Sequence, residues 1–314
     1  GNAEQSVSLN INNTNQEGIT QKSNLNRTSV QLAGNTTLMN KLKAGGSVNF
    51  IQTNQKGPQQ GNGGSPFGRL VAVPRSYDLQ GLPYIDPVTR QQYFGWLSAQ
   101  ADNPRWSTEN NQYTSRVDRI TASTSLTYAF KDWLSLSYTG GVNTYSDNRR
   151  TTVRPGSNGY GGDGNVLEDN IQNTELDQTL LLNFNKDLTE DISLRASVGQ
   201  NINQRQLNFL AYVGQKIIVF GIDNIENTTE KNTNGYAYSK RRLMGLLGEA
   251  TVGYKDWAFV TGTARNDWSS TLNRGGRIGE SGRSFFYSGL SGSLIVNEAL
   301  GLDLPWLSLA KVRV

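Results

Sequence analysis

The sequence contains no cysteine and no histidine. Disulfide frameworks, thiol nucleophiles, zinc-finger spacings, histidine-based triads and histidine metal sites are thereby excluded together. An enzyme built from this chain would have only carboxylates, Lys, Tyr or Ser–Lys pairs to work with. Long apolar runs are also missing. The longest, Ile217 to Phe220 and Leu243 to Leu247, fall far short of the roughly 20 residues of a membrane-crossing helix. A helical membrane protein is excluded; a membrane β-barrel, whose signal per strand is weak, is not. Hydrophobic residues make up 35% and charged residues 18%, against roughly 45–50% and about 25% in ordinary globular domains. Asn, Ser, Thr, Gln and 34 Gly fill the deficit, which argues against charge-driven disorder and against a helical bundle. The net charge of +4 over 314 residues comes without a basic stripe, so no nucleic-acid partner is expected.

What the chain does have is alternation with a period of two. Ile120, Ala122, Thr124, Leu126, Tyr128 and Phe130 fall on one face of an extended segment, with Thr121, Ser123, Ser125, Thr127 and Ala129 on the other. After Lys131-Asp132-Trp133 the pattern resumes, Leu134, Leu136, Tyr138 and Val142 opposite Ser135, Ser137, Thr139 and Asn143. Eleven strands are predicted this way, near 3–12, 25–38, 42–56, 113–130, 133–150, 170–186, 191–209, 236–254, 257–269, 283–296 and 306–314. Many exceed ten residues, the length transmembrane strands need, where ordinary strands run to roughly five or six.

The predicted connections alternate in length. Tight turns at Met39–Lys41, Lys131-Asp132, Asp187–Glu190 and Lys255-Asp256 separate long polar loops at 13–24, 57–112, 151–169, 210–235 and 270–282. Short turns at one end and long loops at the other are the habit of outer-membrane barrels. Tyr128, Phe130, Trp133, Tyr254 and Trp257 cluster at two short turns and are expected to form an interfacial aromatic girdle, since such rings are apolar with one wet end. Two ordinary hairpins with an aromatic under each turn would look the same locally. The apolar face is expected to meet lipid and the Ser/Thr/Asn/Gly face to line a wet lumen.

Gln16-Glu17-Gly18-Ile19 with Asn26-Arg27, the segment Leu42 to Phe50, Asp102-Asn103-Pro104-Arg105-Trp106, and above all Arg265-Asn266-Asp267-Trp268-Ser269-Ser270-Thr271-Leu272 with Ser284-Phe285-Phe286-Tyr287-Ser288 resemble the SusC/RagA family of TonB-dependent outer-membrane transporters of Bacteroidota. The resemblance implies an all-β, antiparallel transmembrane barrel of roughly 22 strands, of which residues 1–314 are expected to be one partial domain from the middle. Signal peptide, plug domain, TonB box and the last strands are expected to lie outside it. It further implies active import of a bulky nutrient, a glycan or an oligopeptide, without covalent chemistry, cofactor or metal. The implied partners are a SusD-like surface lipoprotein, TonB-ExbB-ExbD through the plug, and outer-membrane lipid and lipopolysaccharide. A passive structural or adhesive surface β-protein is the alternative, as is a barrel caught incompletely folded on barrel-assembly machinery.

Candidate sites follow from chemistry. In the 57–112 loop, Tyr93, Trp96, Arg105 and Trp106 are expected to bind substrate, aromatic faces stacking on sugars and Arg pairing with carboxylates; the same aromatics could instead fill the loop's own core. Arg149, Arg150, Arg241 and Arg242 sit at strand ends beside long loops and are expected to meet lipopolysaccharide phosphates, or simply water. Tyr160 to Asn165 offers oxygen ligands in a glycine-rich turn without the EF-hand pattern, and the pairs Glu226/Glu230 and Asp187/Asp191 have no recognisable cleft for acid–base work.

Overall fold

A computed structural model describes residues 5–61, 65–93, 102–158, 162–272, 284–302, 306–307 and 309–314. Eleven strands occur among them, in a single antiparallel sheet whose spatial order is the chain order. They are β1 (Gln5–Glu17), β2 (Asn24–Leu38), β3 (Leu42–Pro58), β4 (Gln112–Lys131), β5 (Leu134–Val153), β6 (Asn165–Asp187), β7 (Ile192–Ile217), β8 (Thr228–Tyr254), β9 (Ala258–Ser269), β10 (Ser284–Ile295) and β11 (Lys311–Arg313). Three short helices, α1 (Pro66–Leu70), α2 (Pro104–Asn110) and α3 (Val296–Ala299), lie in the connections. No helix is long and apolar enough to cross a membrane.

The sequence pattern places every strand, but it ends several too early. β1 runs to Glu17, β6 begins at Asn165, β7 extends to Ile217 and β8 begins at Thr228. The loops expected at 13–24, 151–169 and 210–235 therefore shrink to 18–23, 154–164 and 218–227. The β1 and β8 extensions are polar on both faces, and those of β6 and β7 carry apolar residues on both, as in Val166-Leu167 and Leu210 to Val213, so the alternation that marks a strand fades although the backbone ladder continues, Asn165↔Gln215 to Asp187↔Ser193 without interruption. At the carboxyl end the strand expected at 306–314 is reduced to β11, and α3 occupies part of the connection before it.

The β2–β3 and β8–β9 connections are tight hairpin turns. Met39 and Asn40 have φ of 54° each, and Lys255 and Asp256 have φ of 47° and 58°, the paired left-handed conformation of a two-residue hairpin. Asn40 and Asp256 tolerate it, whereas Met39 and Lys255 adopt it at a cost, so those two are set against their preference by the strands they join.

Register assigns each face. One row crosses the sheet as Leu9, Leu32, Val48, Ala122, Val142, Leu176, Gln204, Arg242. The adjacent row, on the opposite face, reads Gln31, Asn49, Thr121, Asn143, Glu175, Arg205, Arg241. The apolar face is uncovered: Leu9 is 62% exposed, Val198 59%, Val260 54% and Val252 47%. Among the described residues the only fully buried hydrophobics are Trp106, Val153, Val166 and Ala211, all at the long-loop end. The sheet thus has no water-excluded core on its apolar side, unlike a soluble sandwich. The band is regular in height. Ile120 to Phe130 on β4, or Met244 to Tyr254 on β8, spans about 33 Å along the strand, or about 25 Å at a ~40° tilt.

The expected girdle residues all lie at the short-turn end, in edge-to-face pairs: Tyr128 with Phe130 at 5.0 Å and Tyr254 with Trp257 at 5.3 Å. Trp133 packs at 5.2 Å on Phe184, a member the sequence pattern did not single out. Replacing Met39-Asn40 with Asn-Gly supplies residues suited to these torsions. It is expected to raise unfolding stability by about 1 kcal/mol, read as a higher midpoint in urea for the full-length protein folded in lipid.

Candidate functional site

Three connections converge at the long-loop end: 59–111 between β3 and β4, 154–164 between β5 and β6, and 218–227 between β7 and β8. Asp102 is their junction. Its Oδ1 accepts from Gln92 Nε2 (2.7 Å) and from the Asn158 amide (2.6 Å), while its Oδ2 accepts from Asn111 Nδ2 (3.1 Å) and the Ser157 hydroxyl. One carboxylate therefore joins the first connection to the second. The next residues start α2: Asn103 caps it through Oδ1 to the Arg105 amide at 3.0 Å, and Pro104 takes the first helical position, where its missing N–H costs nothing.

This start aims Trp106 inward, where it is fully buried. Its ring lies close against Gly156, where an added Cβ would come within 3.3 Å of it and where φ is +95°; glycine meets both demands. On another side it meets Phe220 at 6.5 Å. Phe220 lies under the Arg154 guanidinium (5.3 Å), which forms a two-pronged ion pair with Asp223 at 3.2 and 3.0 Å. Trp106, Phe220, Arg154 and Asp223 thus bind all three connections into a cap. The β1–β2 turn joins it through the ion pair of Lys22 with Glu109 on α2.

The four expected substrate residues fare differently. Trp106 is the cap's core, which favours the packing reading over the binding one. Arg105 is consumed in structure: its NH1 donates to the carbonyls of Leu79, Gln80 and Leu82 at 3.2, 3.0 and 3.2 Å, and its guanidinium sits 4.2 Å over the Tyr84 ring. Tyr93 is exposed, its hydroxyl donating to Asp86 Oδ2 at 3.3 Å. Trp96 lies outside the described residues. Asp86 is held below the ordinary carboxylate range, first by the Thr89 and then by the Val88 backbone amide, and desolvation together with the Asp86 charge pushes the Tyr93 phenol up.

The four arginines do not form one surface. Arg149 and Arg241 lie on the polar face and Arg150 and Arg242 on the apolar one, since neighbours in a strand point oppositely. Arg149 pairs with Asp147 (2.7 Å), which also accepts from Ser115, and Arg150 pairs with Glu168 (2.7 Å). Of the four arginines expected to meet phosphates, two therefore lie on the apolar face, Arg150 ion-paired there and Arg242 without a carboxylate partner among the described residues. Glu226 and Glu230 pair with Lys231 and Lys216, so neither is poised for acid–base work. In the 160–165 turn, Tyr160 and Gly161 lie outside the described residues, and Gly162 and Gly164 take φ of 87° and 74°.

The polar face of the sheet is a continuous wall of hydroxyls, amides and charges. Ser47 meets Ser123, Asn183 bridges Ser137 and Ser197, and Thr251 meets Thr261. Asn201 donates to Asp177 and Thr179, Asn203 to Glu175 and Asp177, and Arg205 to Asn173. Arg265 pairs with Asp267, which also accepts from the Tyr287 hydroxyl. Such a surface solvates polar solutes and carries no poised nucleophile.

Neither a protein-family model nor a curated relative matches the sequence. Solved structures do. A chain of the RagAB peptide transporter superposes with a TM-score of 0.80 at 16% identity, over 100% of this chain and 35% of that one. The fold is that of an outer-membrane transporter barrel. BauA, the ferric preacinetobactin receptor from Acinetobacter baumannii, gives 0.52 at 10% identity, over 93% of this chain and 40% of its own. The closed form of Fiu, the ferric-catecholate import receptor of E. coli, gives 0.52 at 12%, over 95% and 45%. The chain spans about a third of the RagAB chain's length. These neighbours are transporters and receptors rather than enzymes.

Trp106→Ala removes the one fully buried ring among the described residues of the cap. It is expected to loosen the cap by roughly 3–5 kcal/mol, seen as faster proteolysis within 59–111 while the sheet resists as before. Asp86 has its pKa lowered, so its bonds hold above the ordinary carboxylate value and are lost as pH falls through the depressed one. Hydrogen exchange at the Val88 and Thr89 amides is expected to accelerate only below about pH 4.

Proposed function

We propose that residues 1–314 form the middle of the barrel domain of a SusC/RagA-type, TonB-dependent outer-membrane transporter that imports a bulky nutrient, a glycan or an oligopeptide. The observation that carries this reading is the uncovered apolar band, about 25 Å high, on a sheet that superposes along its whole length on part of the RagAB peptide transporter. An apolar face of that height has a lipid environment as its natural partner, and the opposite wall of amides, hydroxyls and charges suits a hydrated passage. The fold likeness supports transport, and peptide transport by the RagAB neighbour supports an oligopeptide cargo ahead of a metal chelate.

In this reading the chain's own residues do three things. Val7, Leu9, Leu126, Val198 and Val260 face lipid; the Asn, Ser and Thr ladder with Asp177, Arg205 and Asp267 lines the passage; and the cap built on Trp106 and Asp102 shapes the entrance, with Tyr93 at its surface to meet cargo. A SusD-like lipoprotein would cover the entrance, and TonB-ExbB-ExbD would supply energy through a plug.

The test is uptake by cells expressing the full-length protein, supplied with labelled oligopeptides or glycans. Accumulation is expected to require TonB and to stop when the proton gradient is collapsed. Surface adhesion without accumulation would replace the reading with a passive surface β-protein.

A further inference from the structure

On the apolar face the band ends abruptly on β8. Met244 is flanked by Ile202 on β7 and Trp268 on β9, and the next two outward positions are Arg242 and Lys240. Both are exposed. Arg242 donates from Nε and NH2 to Gln204 Oε1 at 3.1 and 2.7 Å, which fixes the guanidinium on the outward face. Among the described residues neither Arg242 nor Lys240 has a carboxylate partner, whereas the other outward arginines do: Arg116 with Asp118 and Arg150 with Glu168. The outward neighbours at these and the following levels are Gln204, Gln206, Asn208 and Leu210 on β7 and Leu176, Thr174, Gln172 and Asn170 on β6, all neutral. Two like charges two residues apart on one strand face, roughly 7 Å from each other, are mutually repulsive and held where an anion would relieve them. Above them Tyr238 and Tyr236 stand 54% and 74% exposed on the same face.

We propose that Arg242 and Lys240 form a ledge that binds the phosphate of an outer-leaflet glycolipid, its acyl chains lying along Met244, Leu246 and Val252 and its sugars against Tyr238 and Tyr236. Charge complementarity and position both select this occupant. The cations sit directly above the apolar band, at the depth where a lipid changes from chain to headgroup, and a planar guanidinium suits a phosphate. The amides of Gln204, Gln206 and Asn208 add hydrogen bonds to sugar hydroxyls. The ledge rests on the membrane reading proposed above.

The full-length protein is reconstituted in vesicles containing phosphorylated or enzymatically dephosphorylated lipid A with brominated acyl chains. Quenching of tryptophan emission reports contact with the acyl chains, and mass spectrometry after detergent exchange reports glycolipid retention. The expected result is quenching in both vesicles, retention of the phosphorylated form alone, and roughly tenfold weaker retention in Lys240→Gln/Arg242→Gln. Lys240→Arg is expected to keep retention, and Arg241→Gln on the opposite face and the ion-paired Arg150→Gln to leave it unchanged. Heat-modifiable migration confirms that each variant is folded. Equal retention of the dephosphorylated lipid, equal loss in Arg241→Gln, or release by millimolar inorganic phosphate, which would mark a site for a soluble anion, overturns the ledge and leaves the membrane band standing. Absence of quenching overturns both.

Discussion

The backbone ladder governs everything else in this chain. From β1 to β8 each strand is paired over nearly its full length with the next, and β8 pairs with β9 from Leu243 to Tyr254, so the N–H and C=O groups between strands within the band are satisfied inside the sheet. That closure is what lets extended chain face a medium without water, where each unpaired backbone group would cost several kcal/mol. It also imposes a strict alternation. Once the ladder is fixed, neither face can be chosen residue by residue; each side chain goes to the side its parity dictates. The exposed band of Val, Leu and Ile and the wall of Asn, Ser and Thr are two readings of one register.

The same constraint explains what was legible in the residues and what was not. Within the band the contrast between Leu126 and Ser125, or Val198 and Ser197, marks the strands and their faces. Beyond it the contrast vanishes: Gln204, Gln206 and Asn208 alternate with Asn203, Arg205 and Leu207, and Asn13 to Asn15 continue a strand that reads as loop. Hydrogen bonds such as Asn13 to Thr28 and Asn170 to Asn148 stabilise these extensions, but they join residues distant in sequence and leave no local trace. The separation of Arg149 from Arg150 and of Arg241 from Arg242 was legible, because parity alone decides it.

The cap was the least legible part. Asp102 to Trp106 announces a capped helix start, Asn followed by Pro, yet nothing nearby reveals that Trp106 will meet Phe220, or that Asp102 will accept from Ser157 and Asn158. Those contacts span 55 to 114 positions, and they convert Trp106, a residue attractive as a ligand-stacking group, into internal filling. An aromatic in a long connection is as much a candidate for packing as for recognition, since a connection of this length needs a core of its own. Tyr93, held at the surface by Asp86, is the kind of residue that remains available.

The strands rise unequally above the band. β1 continues only from Asn12 to Glu17 beyond Ile11, whereas β7 continues from Asn203 to Ile217 beyond Ile202. At ~3.3 Å per residue and a ~40° tilt these amount to roughly 15 Å and nearly 40 Å. The long-loop edge of the described sheet therefore climbs from β1 to β7 instead of running level. In the transporter reading proposed above, a large molecule drifting parallel to the membrane would cross a low sill on the β1–β2 side and meet a tall backboard on the β7–β8 side, so that its direction of approach would be sorted before any side chain made a specific contact.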